Sequence, residues 1–160
     1  QTCALPIFLI ADSSKVAVQA VPVLRRNGNP TARILGTELW NADSGLALAK
    51  PIYGAWFASV SDGVYNQFAS QYRTQYGASP YRLASLGYDS ILLIAKIANQ
   101  PGLWSPGKAF PLAALEDKGG FSGIDGAFRF LPTGEAQRAL EVQQVGPKGA
   151  TIVSAAPKAF

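Results

Sequence analysis

Phe8-Leu9-Ile10-Ala11-Asp12-Ser13-Ser14 is the stretch on which the reading of this chain turns. Four apolar residues suit a short buried strand, and the three that follow are all of the kind that cap helix N-termini. A helical stretch then runs to Arg25-Arg26 and is ended by Asn27-Gly28. Pro22 lies inside it and is expected to kink or shorten the helix. Asn29-Pro30 marks a turn, and Arg33-Ile34-Leu35-Gly36 reads as a second strand opening into Thr37-Glu38-Leu39-Trp40-Asn41. Strand, capped helix and strand in that order predict a parallel βαβ unit.

Ile52-Tyr53-Gly54-Ala55-Trp56-Phe57 reads as a third strand, with Trp56 expected in the core. Ser61-Asp62 caps a helix in which Tyr65, Phe68, Tyr72 and Tyr76 share one face, and Gly77 stops it. Residues 81–99 form the strongest helix. Its apolar residues lie almost all round it, which predicts extensive burial. Phe110 to Glu116 is expected to be a short helix, and the glycines of 119–126 a turn. Gly126-Ala127-Phe128-Arg129-Phe130, then Ala139 to Val145, then Thr151-Ile152-Val153 read as strands. The order favours an α/β fold with a mostly parallel sheet and flanking helices.

Composition narrows the chemistry. Of 160 residues, 48% are apolar and 15% charged, enough to bury the core of about one domain. Histidine is absent, which removes Ser-His-Asp and Cys-His catalysis and every His-ligated metal site. One cysteine makes neither an internal disulfide nor a zinc cluster. No Gly-x-Ser-x-Gly pattern occurs, and the one Ser-x-x-Lys, Ser105-Pro106-Gly107-Lys108, lies in a Pro/Gly loop and does not stand out, so a non-enzymatic role without cofactor or metal is expected. The fourteen cations against ten acids are scattered, and Arg25-Arg26 is the one adjacent pair. Nucleic-acid binding, which shows a basic stripe, is not expected. No apolar run approaches the roughly 20 residues of a membrane span.

In open α/β sheets, ligands bind beyond the carboxyl ends of strands. Two such ends are readable. At Asp12, Ser13 and Ser14, a helix N-terminus offers N–H groups to an anion or hydroxyl; plain capping is the alternative. Glu38, Trp40 and Asn41 combine a carboxylate, an aromatic face and an amide, suited to a cationic or polar small molecule. The alternatives are an exposed loop acid for Glu38 and packing for Trp40. Tyr88 and Asp89 lie within the apolar helix. An acid there needs a partner, so Asp89 serves either a structural hydrogen bond or a hinge or cleft.

Gln1-Thr2-Cys3-Ala4-Leu5-Pro6-Ile7 is spelled by CAG ACG TGT GCT CTT CCG ATC, which resembles the end of a common sequencing-adapter oligonucleotide. Residues 1–7 are therefore expected to be an adapter artefact read in frame with a truncated gene. Native sequence would begin near Leu9, and Cys3 would carry no biology.

Three collinear stretches carry a family resemblance: Ile34-Leu35-Gly36-Thr37-Glu38-Leu39-Trp40, Gly54-Ala55-Trp56-Phe57-Ala58, and Pro80-Tyr81-Arg82-Leu83-Ala84-Ser85-Leu86-Gly87-Tyr88-Asp89. Phe121-Ser122-Gly123-Ile124-Asp125-Gly126-Ala127-Phe128-Arg129-Phe130 and Arg138-Ala139-Leu140-Glu141-Val142 continue it. This order resembles the C-terminal part of type I periplasmic binding proteins, the leucine/isoleucine/valine-binding family, and within it the penicillin-binding protein activators. The resemblance implies an incomplete type I fold, with the C-terminal lobe and part of the N-terminal lobe. Residues 8–78 would belong to the C-terminal lobe, 79–137 would return to the N-terminal lobe, and 138–160 would finish the C-terminal lobe. In the amino-acid binders a residue after the first of these strands touches ligand, and an acid after the next takes its ammonium. Ser13 or Ser14 falls at the first place, where those binders carry an aromatic, and Glu38 at the second. A periplasmic location is implied, with lipid anchoring through an N-terminus absent from this sequence. The implied partner is a peptidoglycan synthase or, alternatively, a small polar ligand such as an amino acid together with an ABC permease. Removal of the home lobe of the 81–99 helix would leave apolar surface exposed.

Overall fold

The structure, a computed structural model, describes residues 6–160. Cys3 and the other residues of 1–5, most of the adapter-like heptapeptide, lie outside the described residues. In chain order the elements are β1 (Ile7–Ile10), α1 (Ser14–Arg26), β2 (Arg33–Gly36), β3 (Trp56–Ser59), α2 (Asp62–Tyr76), α3 (Ala84–Ala98), β4 (Phe121–Gly123), β5 (Gly126–Phe130), β6 (Ala136–Arg138), β7 (Glu141–Gly146) and β8 (Gly149–Ser154). Two compact units result. One holds the chain up to Ser59 with Glu141–Ala155, the other Val60–Leu140 with Ala156–Phe160.

The first unit is a five-stranded sheet in the order β1-β2-β3-β7-β8. β1, β2 and β3 are parallel, whereas β7 runs antiparallel to β3 and β8 antiparallel to β7. The α/β class with flanking helix is as the sequence reads, and the sheet is mixed. Only Pro147-Lys148 separates β7 from β8, and so short a link can join only antiparallel strands. The third strand starts later than its apolar run. Pro51 lies in a 3-10 turn at Lys50–Ile52, and Gly54 takes a left-handed φ of 83°, so extension begins at Trp56.

Ser13 caps α1 in extended conformation, its Oγ accepting the Val16 N–H at 3.4 Å. Ala17 and Val21, one turn apart, are fully buried in a core with Ile34, Trp40, Ile52 and Phe57. The helix runs through Pro22 to Arg26. The expected shortening does not occur, because the buried Ala17–Val21 stripe holds the helix against the loss of one backbone hydrogen bond. Trp40 is the largest fully buried side chain. Its indole lies against Gly36 and 5.9 Å from the Phe57 ring, and its Nε1 donates to the Asp12 carbonyl at 2.8 Å.

The second unit has a three-stranded antiparallel sheet, β4-β5-β6, with α2 and α3. The glycine-rich stretch read as a turn is strand β4 followed by a tight turn into β5, with Gly126 at φ 92°. The short helix read over Phe110 to Glu116 is a 3-10 helix at Leu112–Glu116. The aromatic face of α2 is as predicted. Tyr65, Phe68, Tyr72 and Tyr76 follow one another at centroid spacings of 6.1, 6.0 and 4.5 Å, and Phe68 meets Tyr88 of α3 at 5.0 Å. Gly77 closes α2 at φ 73°, its N–H on the Arg73 carbonyl.

Extensive burial of α3 is corrected by the structure. Its buried residues are Ser85, Asp89, Leu93 and Ile97, one stripe at four-residue spacing. Leu93 and Ile97 pack with Phe121 and Phe128. Ile91 is 67% exposed, and Leu92 and Ile94 are each nearly half exposed. A helix apolar on every side needs neighbours on every side, and a three-stranded sheet covers only one.

Two buried carboxylates fix α3 to the β4–β5 turn. Asp89 accepts the Ile124 N–H at 2.7 Å and the Asp125 N–H at 3.5 Å. Asp125, 3% exposed, accepts Arg82 Nη1 at 2.6 Å and Ser85 Oγ at 2.7 Å, with Arg138 Nη1 at 3.8 Å. Arg82 also lies 4.0 Å above the Tyr65 ring and 3.5 Å from Asp62.

Two outcomes follow from this packing. Gly36→Ala forces a Cβ into the Trp40 indole and is expected to destabilise the fold by about 1–3 kcal/mol, read as a lower urea midpoint. Asp89→Ala leaves two buried N–H groups without an acceptor and is expected to cost about 2–4 kcal/mol, with Asp89→Asn costing less because it keeps an acceptor.

Candidate functional site

Strand register brings the candidate residues of the first unit to one edge. Ile10 pairs with Gly36, Gly36 with Phe57, Phe57 with Gln143 and Ser59 with Glu141. Two residues beyond Ile10, Gly36 and Phe57 come Asp12, Glu38 and Ser59. Asp12 and Glu38 thus follow the carboxyl ends of β1 and β2, and Ser59 closes β3 opposite Glu141, at the edge where open α/β sheets bind ligands. The sequence reading named the first two. It missed Ser59, Glu141 and Gln143, which are all buried. Gln143 Nε2 donates to Glu141 Oε1 at 2.6 Å. Strand parity was the available signal, because Glu141 and Gln143 share the face of the buried Val145.

The six candidates do not present equally. Asp12 and Glu38 are exposed carboxylates. Asp12 Oδ1 accepts the Ser13 N–H at 2.6 Å. Ser13 is engaged as the cap of α1. Ser14 is buried, and its hydroxyl donates to the carboxylate of Asp43. Trp40 is turned inward, with no exposed face. Asn41 is half-buried, its backbone N–H on the Glu38 carbonyl at 2.9 Å. Thr37, not singled out by the sequence, carries a buried Oγ1 without a hydrogen-bond partner. Tyr88 and Asp89 belong to the second unit, where Tyr88 is partly exposed and meets Phe68, and Asp89 holds the β4–β5 turn.

Asp43 is the residue whose acidity the site alters. The Ser14 hydroxyl, the Gly45 N–H at 2.8 Å and, more weakly, the Lys15 ammonium stabilise its charged form and hold its carboxyl below the usual carboxylate range, against a smaller opposing effect of burial. The Ser14 hydrogen bond favours the charged carboxylate, and a carboxylate of lowered basicity is a weaker acceptor of the serine proton. What the edge offers is recognition: two exposed carboxylates suited to ammonium or hydrogen-bond donors.

A group whose pKa is depressed by folding stabilises the native state above its unfolded pKa and loses that contribution as pH falls through the lowered folded value. Wild type is therefore expected to exceed Asp43→Asn in urea midpoint at pH 7. The gap should narrow once pH drops below the ordinary aspartate value of about 3.9. A gap constant from pH 7 to pH 2.5 would contradict this.

No family model and no curated protein matches the chain. Solved structures do. A protein assigned to branched-chain amino acid ABC transport in Rhodospirillum rubrum superposes with TM-score 0.70 at 23% identity, over 91% of this chain and 43% of its own. The periplasmic ligand-binding protein of a branched-chain amino acid ABC transporter from Burkholderia xenovorans gives 0.62 at 19%, over 94% and 44%. Haemophilus influenzae LpoA gives 0.59 at 15%, over 95% and 27%. The chain thus spans less than half the length of each of these structures. Across that span it carries the fold of type I periplasmic binding proteins.

Proposed function

We propose that this chain belongs to a non-enzymatic periplasmic protein that uses the binding fold to regulate the cell envelope, as penicillin-binding protein activators do by stimulating a peptidoglycan synthase. One observation carries the reading. At the carboxyl edge of the sheet, Trp40, Ser14 and Ser13 are engaged in packing, in a hydrogen bond to Asp43 and in capping, which removes half of the groups that would hold a polar solute. The collinear motifs of that branch and the likeness to LpoA support it. Assignment of residues 8–78 and 138–160 to one lobe and 79–137 to the other, lipid anchoring, and a hinge or cleft role for Tyr88 and Asp89 belong to the same proposal. The low basicity of Asp43 and the lack of histidine support a role without catalysis.

A second reading has its own observation. Asp12 and Glu38 stay exposed beyond the carboxyl ends of the neighbouring strands β1 and β2 and would meet the ammonium of an amino acid, which favours solute capture for an ABC permease.

Binding measurements separate the two. Immobilised protein is expected to retain the periplasmic part of a bifunctional peptidoglycan synthase at micromolar concentration, and calorimetric titration with a panel of amino acids is expected to give no saturable heat. Saturable amino-acid binding that Glu38→Gln weakens tenfold or more, with no synthase retained, would establish solute capture instead.

A further inference from the structure

The chain passes between its two compact units at Ser59–Val60, at Leu140–Glu141 and at Ala155–Ala156. Two of these connections leave the second unit beside a charged side chain. Asp62 opens α2 two residues after Val60, and Arg138 closes β6 two residues before Leu140. Val60 and Ala139, within the same two connections, are buried.

A run of alternating charge joins Asp62 to Arg138. Asp62 Oδ1 lies 3.5 Å from Arg82 Nη2, Arg82 Nη1 donates to Asp125 Oδ1 at 2.6 Å, and Arg138 Nη1 lies 3.8 Å from Asp125 Oδ2. Each inner group meets two neighbours with two different atoms. Arg82 gives one Nη to each acid, and Asp125 turns one oxygen to each arginine. Aromatic rings hold the guanidiniums in place, Tyr65 of α2 at 4.0 Å from Arg82 and Phe128 of β5 at 5.6 Å from Arg138. Asp125 is buried, so water screens its charge little and both arginines feel it. Arg138 Nη1 is itself buried and makes no hydrogen bond, which leaves the charge of Asp125 as its tie to the network. Fixing α3 needs none of this outer part. Ser85 Oγ on Asp125 and Asp89 on the Ile124 N–H already join α3 to the β4–β5 turn. Asp62 and Arg138 extend the network to the two connections.

We propose that Asp62, Arg82, Asp125 and Arg138 form an ionic clamp on the second unit, which holds the connection entering α2 and the connection leaving β6 so that both are fixed or both are freed. The clamp is a conformational device. It goes beyond the regulatory reading above and does not depend on any ligand at the carboxyl edge.

Hydrogen exchange of the whole chain, read over residues 58–64 and 136–142, tests it. Asp125→Asn keeps the size of the side chain and removes the charge that both arginines face. Both windows are expected to exchange at least about tenfold faster, with Leu93–Ile97 within about twofold of wild type. Arg82→Lys keeps a charge but loses the fork that meets two acids, and should accelerate both windows by a smaller factor. A double-mutant cycle supplies the second measurement, on the two partly exposed ends of the run. Asp62→Asn and Arg138→Gln each raise the unfolding equilibrium constant in urea. The double variant is expected to raise it at least about threefold less than the product of the two single rises, because groups in one network couple whereas independent sites add. Where Asp125→Asn also accelerates Leu93–Ile97, the unit has opened as a whole and the cycle alone decides. Faster exchange confined to residues 121–128, acceleration of one window without the other, or a double variant equal to the product of the singles would overturn the clamp and leave a local support of the β4–β5 turn.

Discussion

The seat of Trp40 on Gly36 is the contact on which the first unit depends. The indole replaces the side chain that Gly36 lacks, stands beside Phe57, and reaches across to the Asp12 carbonyl through Nε1. One residue thereby joins the ends of β1, β2 and β3. The hydrogen bond fixes the backbone of Asp12 as it leaves β1, so the carboxylate stays at the surface and Ser13 is placed to cap α1. The same inward turn that steadies the edge withdraws its aromatic face from any ligand. Stability and recognition compete here for one side chain, and burial of an indole, among the largest apolar contributions a residue makes, decides the outcome.

The second unit is organised by charge where the first is organised by packing. Asp125 is nearly inaccessible and gathers Arg82, Ser85 and Arg138 around it, while Asp89 accepts from the backbone of the same turn. A buried carboxylate is tolerable only when its lone pairs are met, and here they are met by donors from α3, from the segment before it and from β6. The network pins one stripe of α3 to the β4–β5 turn. It does nothing for the remaining faces, which stay apolar and exposed. Contiguous exposed apolar surface of that kind marks an interaction site or an aggregation liability.

Much of this was legible in the residues. Caps and stops located α1 and α2, because Ser13, Gly77 and Asn27 act through local geometry that needs no partner. β2 and β5 were readable to the residue, since an apolar run bounded by glycine or proline leaves little choice. What failed was whatever depended on distant neighbours. The apolar ring of α3 predicted burial, but periodicity counts apolar faces and not the elements available to cover them. Pro22 predicted a kink or a shortening, but the helix runs its full length through it, because the buried Ala17 and Val21 outweigh one missing hydrogen bond. The candidate edge was half legible. Strand ends pointed to Asp12 and Glu38, whereas Glu141 lies far along the chain and reaches that edge only through antiparallel pairing with Ser59. Even so, its parity with Val145 placed it inward.

Register also explains why the two ends of one sheet differ in character. Parallel strands put all their carboxyl ends on one edge and all their amino ends on the other, so any bias in the flanking residues accumulates rather than cancels. On this chain the carboxyl edge collects Asp12, Glu38 and Glu141, and the amino edge collects Arg25 and Arg33. A net charge of +4 spread evenly would give both edges the same sign. Segregation gives each its own field, and local fields rather than net charge select a ligand. The fold directs attention to the carboxyl edge, because open α/β sheets bind ligands there. The distribution of charge is a property of this sequence alone, and strand register is what turns it into two edges of different character.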